Sequence, residues 1–278
     1  MDKFYFPVEQ TIRNRHSDRT YEPRPLPADV KEKIQSFIRE SDNPFHVKVS
    51  FHLLATNTDK GQKLGTYGVI KGVSDFIGST VKEEDLGLEA LGYSMEHLIL
   101  FLTSQGLGSC WLGGTFDRSA FSQAIHLEEG TLFPIITPVG YPVKKKRPVE
   151  SLIKWAAKSD QRKDWEHLFF KNDFTSPLTK QEAGAYEFAL EMVRLAPSAI
   201  NKQPWRIIKK ENAFHFYEAK TGKESKTLDI QRVDVGIAAC HFHLAAIDKN
   251  LNGSFQKMNP NISAPPEMSY LFSWVIEE

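Results

Sequence analysis

A short segment near the start of the chain, Arg13–Arg19, holds three arginines together with a histidine and a serine. Arginine presents a planar fork of N–H donors that binds two oxygens of one anion at once. A second basic run, Lys144–Arg147, lies far from the first in sequence. These residue types predict an anion site. Taken alone, each run is also typical of a solvated surface segment, and for Arg13–Arg19 that interpretation would be preferred.

Two other places carry reactive side chains. The segment Cys240–His243 brings a cysteine and two histidines together. On a helix, residues one or two apart do not face each other, so only Cys240 and His243 share a side, and a packed pair is favoured over a metal site. Cys110 is interpreted in the same way, as a packing residue near the pocket and not as a nucleophile.

The composition limits the classes of protein and partner. The 278 residues contain 35 Lys and Arg against 35 Asp and Glu, whereas a nucleic-acid binder is expected to carry a basic excess. Two cysteines are too few for a disulfide framework, which indicates a reducing compartment. The sequence has neither the pattern of a signal peptide nor that of a membrane span. We therefore expect a cytoplasmic protein that binds neither nucleic acid nor a membrane.

Helical periodicity predicts two elements in the first half. Asp29 is expected to cap a helix that carries Val30, Ile34 and Phe37 on one face. The segment Leu86–Ser104 has apolar residues at spacings of three and four, at a density that predicts a mostly buried helix.

Two strands and a linker are predicted around these helices. Val47–Leu53 alternates with a period of two, as a half-buried strand does. Leu132–Tyr141 is apolar but interrupted by prolines, which favours an edge or irregular strand over a central one. Lys144–Phe174 is the best candidate for a linker, and its large apolar residues indicate that it packs on the surface. These residues are Trp155, Trp165, Leu168 and Phe169.

The pattern begins again after Pro177. The predicted elements are helices at Gln181–Leu195 and Val233–Ile247, and strands at Trp205–Lys210, Ala213–Glu218 and Ser269–Ile276. Leu91–Leu100 can be laid on Val235–Leu244 with a glycine and a histidine in register. The order of helix, strand, buried helix and terminal strand recurs in both halves, which indicates an internal duplication.

Three segments together resemble the flavin-dependent nitroreductase family. Arg13–Tyr21 looks like its N-terminal arginine-rich motif, and Ala196–Trp205 is close to its Ala-Pro-Ser, Asn and Gln-Pro-Trp signature. Gly106–Gly114 is the third segment, and it is followed by Pro138–Pro142 and a basic run that ends at Arg147. Each match is weak alone, and the three in one chain make a strong resemblance.

The resemblance implies an FMN cofactor and roles for the motif residues. Arg15 and Ser17 are expected to bind the FMN phosphate, with Lys145 and Arg147 closing the other side. Arg19 is expected near N1 and O2 of the flavin, where a cation stabilises the reduced ring.

Other motif residues are expected at the flavin ring. Asn201 has the donor and acceptor that the ring edge requires, and Gly113 and Gly114 let backbone N–H groups approach N5 and O4. The remaining residues expected at the cofactor are Arg13, His16, Pro197, Ser198 and Gln203.

The departures from the family pattern are complementary. Ser41–His46 stands where the first half should carry an Asn and Gln-Pro-Trp motif, and Asn250–Phe255 stands where the second half should repeat Gly106–Trp111. Members of the family are obligate homodimers that bind FMN between subunits. The resemblance therefore implies an α+β nitroreductase-like fold in which two half-subunit repeats are fused into an internal pseudo-dimer, with one FMN site kept and the second lost.

We expect the first repeat at residues 1–150, a linker at 151–176 and the second repeat at 177–278. The function implied by the resemblance is hydride transfer from NAD(P)H through FMN to a nitroaromatic, a quinone or a similar acceptor. The alternative is a flavin-binding or cofactor-free pseudo-enzyme with a structural or sensing role. Because the dimer is internal, the chain is expected to be a monomer or a weak homo-oligomer.

Overall fold

A computed structural model of the protein describes residues 6–56, 64–143, 161–220 and 228–277. Lys145, Arg147 and Trp155 lie outside the described residues, so the predictions made for them stay predictions. Within the described part, no helix combines the length and the apolar character needed to cross a bilayer.

The first half is an antiparallel sheet with helices against it. Its strands are β1 (Val49–Ala55), β2 (Asp75–Lys82), β3 (Gly108–Ser109) and β4 (Thr131–Gly140), and its helices are α1 (Val8–Asn14), α2 (Ala28–Glu40), α3 (Gly87–Ser104) and α4 (Arg118–Ala124). The strand order is β1-β2-β4-β3. Helix α3 is buried along most of its length, as its apolar density predicts.

The second half contains a second sheet and a second long buried helix. Its strands are β5 (Phe169–Lys171), β6 (Trp205–Lys210), β7 (Ala213–Ala219), β8 (Gly253–Gln256) and β9 (Met268–Ile276), and its helices are α5 (Lys180–Ala183), α6 (Glu187–Leu195) and α7 (Ile230–Asp248). The strand order is β5-β6-β7-β9-β8, and only β5 runs parallel to its neighbour. Apart from β5, this order repeats that of the first sheet.

The two halves meet along a seam formed by α3 and α7, and the contacts on this seam are reciprocal. A Cβ atom on Gly92 would lie 2.1 Å from the carbonyl oxygen of Val233, and one on Gly236 would lie 2.1 Å from that of Glu89. The sequence alignment pairs Gly92 with Gly236 and places Glu89 opposite Val233. The halves are therefore related by an approximate twofold axis through this seam, and both glycines are needed for the close approach.

Leu132–Tyr141 forms an irregular strand, as its prolines predict, but the expectation that it lies at an edge of the sheet is wrong. Strand β4 pairs with β2 on one side and with β3 on the other, so it lies inside the sheet. Pro134 is tolerated because it lies where the register between β2 and β4 shifts, opposite Ser79 to Val81. A bulge leaves a residue unpaired, and proline has no N–H to donate there.

Three local predictions also need correction. Asp29 does not cap α2: the helix begins after Pro27, and Asp29 lies in its first turn. The helix predicted at Gln181–Leu195 is interrupted by a 3₁₀ turn at Gly184–Tyr186 between α5 and α6. Phe169, expected in a linker on the surface, is fully buried in β5.

Candidate functional site

A cleft of about 190 Å³ lies between the halves, at one end of the seam. The first half contributes the segment after α1 and the loop after β3, and the second half contributes the loop after α6 and the start of α7. The lining residues are Arg15, Ser17, Arg19, Trp111, Gly113, Ile135, Arg162, Pro197, Ser198, Ala199, Ile200, Asn201, Ile230, Val233, Asp234 and Ile237. The arginine-rich segment and the Ala-Pro-Ser loop thus meet in one place, although they lie far apart in sequence.

The first wall of the cleft is an extended segment that follows α1. Ser17 forms a parallel bridge with Ser109, and the N–H of Asp18 donates to the carbonyl of Ser109 at 2.8 Å. The carbonyl of Arg19 accepts from the N–H of Lys71 at 3.0 Å. These backbone bonds hold the segment against the first sheet, so Ser17 and Arg19 line the cleft from a fixed backbone.

A buried polar network lies behind this wall and contacts residues that line the cleft. Glu96 is fully buried, with one oxygen 3.7 Å from Nε of Arg15 and 2.9 Å from Nε2 of His241. Its other oxygen accepts from Nε1 of Trp111 at 2.8 Å. Glu96 therefore contacts two residues that line the cleft and one residue of the other half.

The second wall is the loop that follows α6. The N–H of Ala199 donates to the Oδ1 atom of Asp234 at 3.0 Å, and the N–H of Gln203 donates to the hydroxyl of Ser198 at 2.8 Å. Ile200 and Asn201 have left-handed backbones, with φ of 51° and 56°. A branched residue such as isoleucine rarely adopts this conformation, which marks the loop as strained.

The side chain of Asn201 is bonded within the second half. Its amide nitrogen donates to the carbonyl of Gln161 at 2.7 Å, and its oxygen accepts from Arg162 at 3.3 Å and from Gln203 at 3.2 Å. Arg162 itself lines the cleft. The amide oxygen of Asn201 is therefore engaged by Arg162 and Gln203, and its nitrogen donates to the carbonyl of Gln161.

Two titratable groups at the cleft are shifted by burial. Desolvation raises the pKa of Asp234 to about 8, and the N–H of Ala199 and the charge of Lys202 oppose that shift. Burial also raises the pKa of the Cys110 thiol, and nearby Arg19 counteracts it in part. The thiol is therefore a poor nucleophile, in agreement with its interpretation as a packing residue.

The middle of the cleft is apolar and narrow. A Cβ atom on Gly113 would lie 2.8 Å from Cδ1 of Ile230 and 3.1 Å from Cδ1 of Ile135. Any larger residue at this position would close the space between the halves. Val233 and Ile237 extend the apolar surface along α7.

The remaining residues expected at the cofactor lie elsewhere. Arg13 is exposed and donates to Glu9, and His16 is exposed, with its ring nitrogens near the carbonyl of Asn14 and the carboxylate of Asp18. Neither lines the cleft.

Gly114 and Gln203 are also absent from the lining of the cleft. Gln203 is buried behind the second wall, where its oxygen accepts from the N–H of Lys163 at 2.9 Å. It supports the loop and does not face the space.

A model of the family described as "Putative TM nitroreductase" matches residues 7–246. The chain belongs to this family. Its members are nitroreductase-like oxidoreductases, so the resemblance stated from the three motifs is confirmed. No curated protein matches the sequence.

Solved structures show the fold of this family member. A "putative nitroreductase" from Thermotoga maritima is 19% identical, covers 99% of this chain and 96% of its own, and has a TM-score of 0.64. This likeness over both halves confirms the nitroreductase-like fold of two fused half-subunits. A nitroreductase from Bacteroides fragilis, described with bound FMN, is 19% identical, covers 51% of this chain and 91% of its own, and has a TM-score of 0.42.

Sequence patterns missed three residues of this nitroreductase family member that matter at the cleft. Asp234 directly precedes the segment that aligns between the halves, which is the one signal that could have found it. Trp111 lies within the Gly106–Gly114 motif but was given no role. Arg162 lies in the predicted linker, Lys144–Phe174, and has no motif around it.

Proposed function

We propose that the chain binds one FMN in the cleft and transfers hydride from NAD(P)H to a nitroaromatic, a quinone or a similar small acceptor. The observation that carries this proposal is the meeting of Arg15, Ser17 and Arg19 from one half with Pro197–Asn201 from the other. In a nitroreductase family member, these are the residues whose chemistry suits a flavin mononucleotide.

The residues present fit that cofactor. Arg15 and Arg19 offer cationic donors to a phosphate dianion and to the electron-rich side of the ring. The apolar surfaces of Ile135, Ile230 and Ile237 suit the faces of a flat aromatic ring. The space between them exists because residue 113 is glycine.

Each wall has a separate task in the proposed reaction. FMN, when bound, supplies the hydride chemistry. With FMN bound, Arg19 would supply a cation to the electron-rich side of the ring, and the N–H of Lys71 holds the backbone of Arg19 in place. Burial raises the pKa of Asp234 to about 8, which reduces the negative charge that this carboxyl group places beside an anionic cofactor near pH 7.

We infer one FMN per chain because the equivalent place on the other side of the twofold axis is filled. It is occupied by four rings, which we call the aromatic cluster: Phe45, Tyr93, Phe255 and Phe272. Phe45 lies 5.0 Å from Phe272 and 5.2 Å from Phe255 between ring centroids. Tyr93 aligns with Ile237 of the cleft.

The test is the visible absorption spectrum of the purified protein, with released flavin counted per chain after FMN loading. About one FMN per chain supports the proposal, and none overturns it. Arg15→Ala should weaken FMN binding about tenfold or more, as expected for one charge-assisted contact. Arg13→Ala is the matched control, because Arg13 is exposed, paired with Glu9 and outside the cleft. Equal affinities of the two variants would contradict the assigned phosphate site.

The second candidate is a flavin-binding pseudo-enzyme with a structural or sensing role. It is favoured by the side chain of Asn201, whose donor and acceptor are already bonded to Gln161, Arg162 and Gln203. Steady oxidation of NADH or NADPH by the FMN-loaded protein in the presence of menadione or nitrofurazone separates the two. Turnover supports the enzyme, and FMN binding without turnover supports the pseudo-enzyme.

A further inference from the structure

The hydrogen-bonded network around Glu96 connects the two halves next to residues that line the cleft. Glu96 lies on α3 and His241 on α7, and both side chains are fully buried. Nδ1 of His241 lies 2.9 Å from the carbonyl oxygen of Met192 on α6. The network therefore spans the first half, the long helix of the second half and the helix behind it.

The geometry fixes the number of protons in this pair. A carbonyl oxygen only accepts hydrogen bonds, so Nδ1 of His241 must carry a proton that it donates to Met192. Nε2 then faces Oε1 of Glu96 at 2.9 Å, and two lone pairs would repel each other at that distance. A second proton must lie between them. When it resides on His241, Glu96 is a carboxylate beside an imidazolium.

The charge of Glu96 is directed towards the cleft. Nε of Arg15 lies 3.7 Å from Oε1, with the arginine side chain only 8% exposed, and Trp111 donates to Oε2. Cys240 is a further titratable neighbour; burial raises the pKa of its thiol, as does the charge of Glu96, so the thiol stays neutral. Cys240 is also the residue that aligns with Glu96 in the other half, so that half has no carboxylate at the equivalent position.

We propose that Glu96 and His241 form a positioning pair for the cofactor phosphate. The carboxylate of Glu96 holds Arg15 and Trp111 in the wall of the cleft, and His241 bonds that carboxylate from the opposite half. The selectivity of the cleft for a phosphorylated flavin then depends on a residue that does not touch the ligand. This inference rests on the proposed function, since the phosphate is that of FMN.

The test compares Glu96→Gln with the wild type in titrations of the apo-protein with FMN and with riboflavin, which lacks the phosphate. Glutamine keeps the size of the side chain, accepts from Trp111 and donates to His241, but it has no charge to hold Arg15. The preference for FMN over riboflavin should fall about tenfold, as for the loss of one charge-assisted contact. Riboflavin affinity should stay the same.

The matched control is Glu89→Gln. Glu89 is equally buried on α3, two turns earlier, and pairs across the seam with Arg232 at 2.6 Å, but neither residue lines the cleft. This control should leave the preference for FMN unchanged. An equal loss of FMN and riboflavin affinity in Glu96→Gln, or tighter FMN binding, would overturn the positioning role. Failure of the wild type to bind either flavin would instead overturn the proposed function.

A second measurement keeps the proton assignment testable if Glu96→Gln does not fold. The ¹⁵N NMR spectrum of the wild-type histidine side chains should show both ring nitrogens of His241 protonated, with the signal assigned by its loss in His241→Gln. An unprotonated Nε2 would place the proton on Glu96, remove the charge that faces Arg15 and overturn the inference.

Discussion

The cleft and the aromatic cluster are built from equivalent elements of the two halves, but one encloses space and the other is filled. At the cleft, α7 presents Ile230 and Ile237 and β4 presents Ile135, with Gly113 against Ile230 and Ile135. At the aromatic cluster, the equivalent helix α3 presents Tyr93 and the equivalent strand β9 presents Phe272. The backbone topology is the same in both places.

This difference shows that the fold alone does not determine whether a site exists. The rings of the aromatic cluster pack against one another, and Tyr93 also bonds Nδ1 of His243 at 2.7 Å. The space that a ligand would use becomes part of the core and contributes to stability. At the cleft, the position of Tyr93 carries the smaller aliphatic side chain of Ile237, and Glu96 contacts Arg15 and Trp111 behind the wall.

The aromatic cluster should contribute far more to stability than the cleft does. Phe272→Ala should lower the free energy of unfolding by about 4 kcal/mol, because Phe272 is fully buried and alanine leaves a cavity. Ile200→Ala at the rim of the cleft is the control: Ile200 is 74% exposed, and the change should cost less than about 0.5 kcal/mol. Urea unfolding of both variants measures the contrast, and similar losses would show that the two regions do not differ in packing.

Substitution of the seam glycine in either half should lower the stability of the protein by a similar amount. Gly92→Ala and Gly236→Ala should each destabilise the protein by about 3 kcal/mol, because each Cβ would lie 2.1 Å from a carbonyl oxygen of the facing helix. Gly114→Ala is the control, since a Cβ there would meet nothing within 4 Å. Thermal unfolding of the flavin-free variants gives the values. A large effect at only one seam glycine would contradict the reciprocal contact.

The stability of the protein should also depend on pH through Asp234, which lines the cleft. Its folded-state pKa of about 8 lies above the unfolded value of 3.8, so between these values the native state binds the extra proton. The unfolding free energy of the wild type should therefore fall, relative to that of Asp234→Asn, by about 2 kcal/mol between about pH 5 and pH 7. Asparagine still accepts from the N–H of Ala199. Parallel pH profiles of the two proteins would show that Asp234 is not desolvated.

Much of the fold follows from the sequence because the signals are local. Trp205–Lys210 is predicted as a strand and is one, and the apolar density of Leu86–Ser104 and Val233–Ile247 predicts the two seam helices to within a few residues. Strand β2 could not be predicted in this way. It is buried on both faces from Asp75 to Val81, so it shows no alternation of apolar and polar residues.

The site could be predicted only in part, for a related reason. The arginine-rich segment and the Ala-Pro-Ser loop carry motifs, and the complementary losses in the two halves predict that they face each other. Glu96, His241 and Asp234 belong to neither motif, and each gains its role from a partner that only tertiary packing brings near. Arg13 and His16 show the converse: they belong to the motif, but they lie outside the lining of the cleft.

The two helices of the seam belong to one polypeptide, so their association does not depend on the protein concentration. Two separate subunits come apart on dilution, whereas the long helices that meet at Gly92 and Gly236 keep a fixed effective concentration at any protein concentration. In a homodimer every substitution occurs in both subunits, whereas in the fused chain a substitution occurs in one half only. One half of such a molecule is free to exchange a ligand site for packed rings while the other half keeps its cleft.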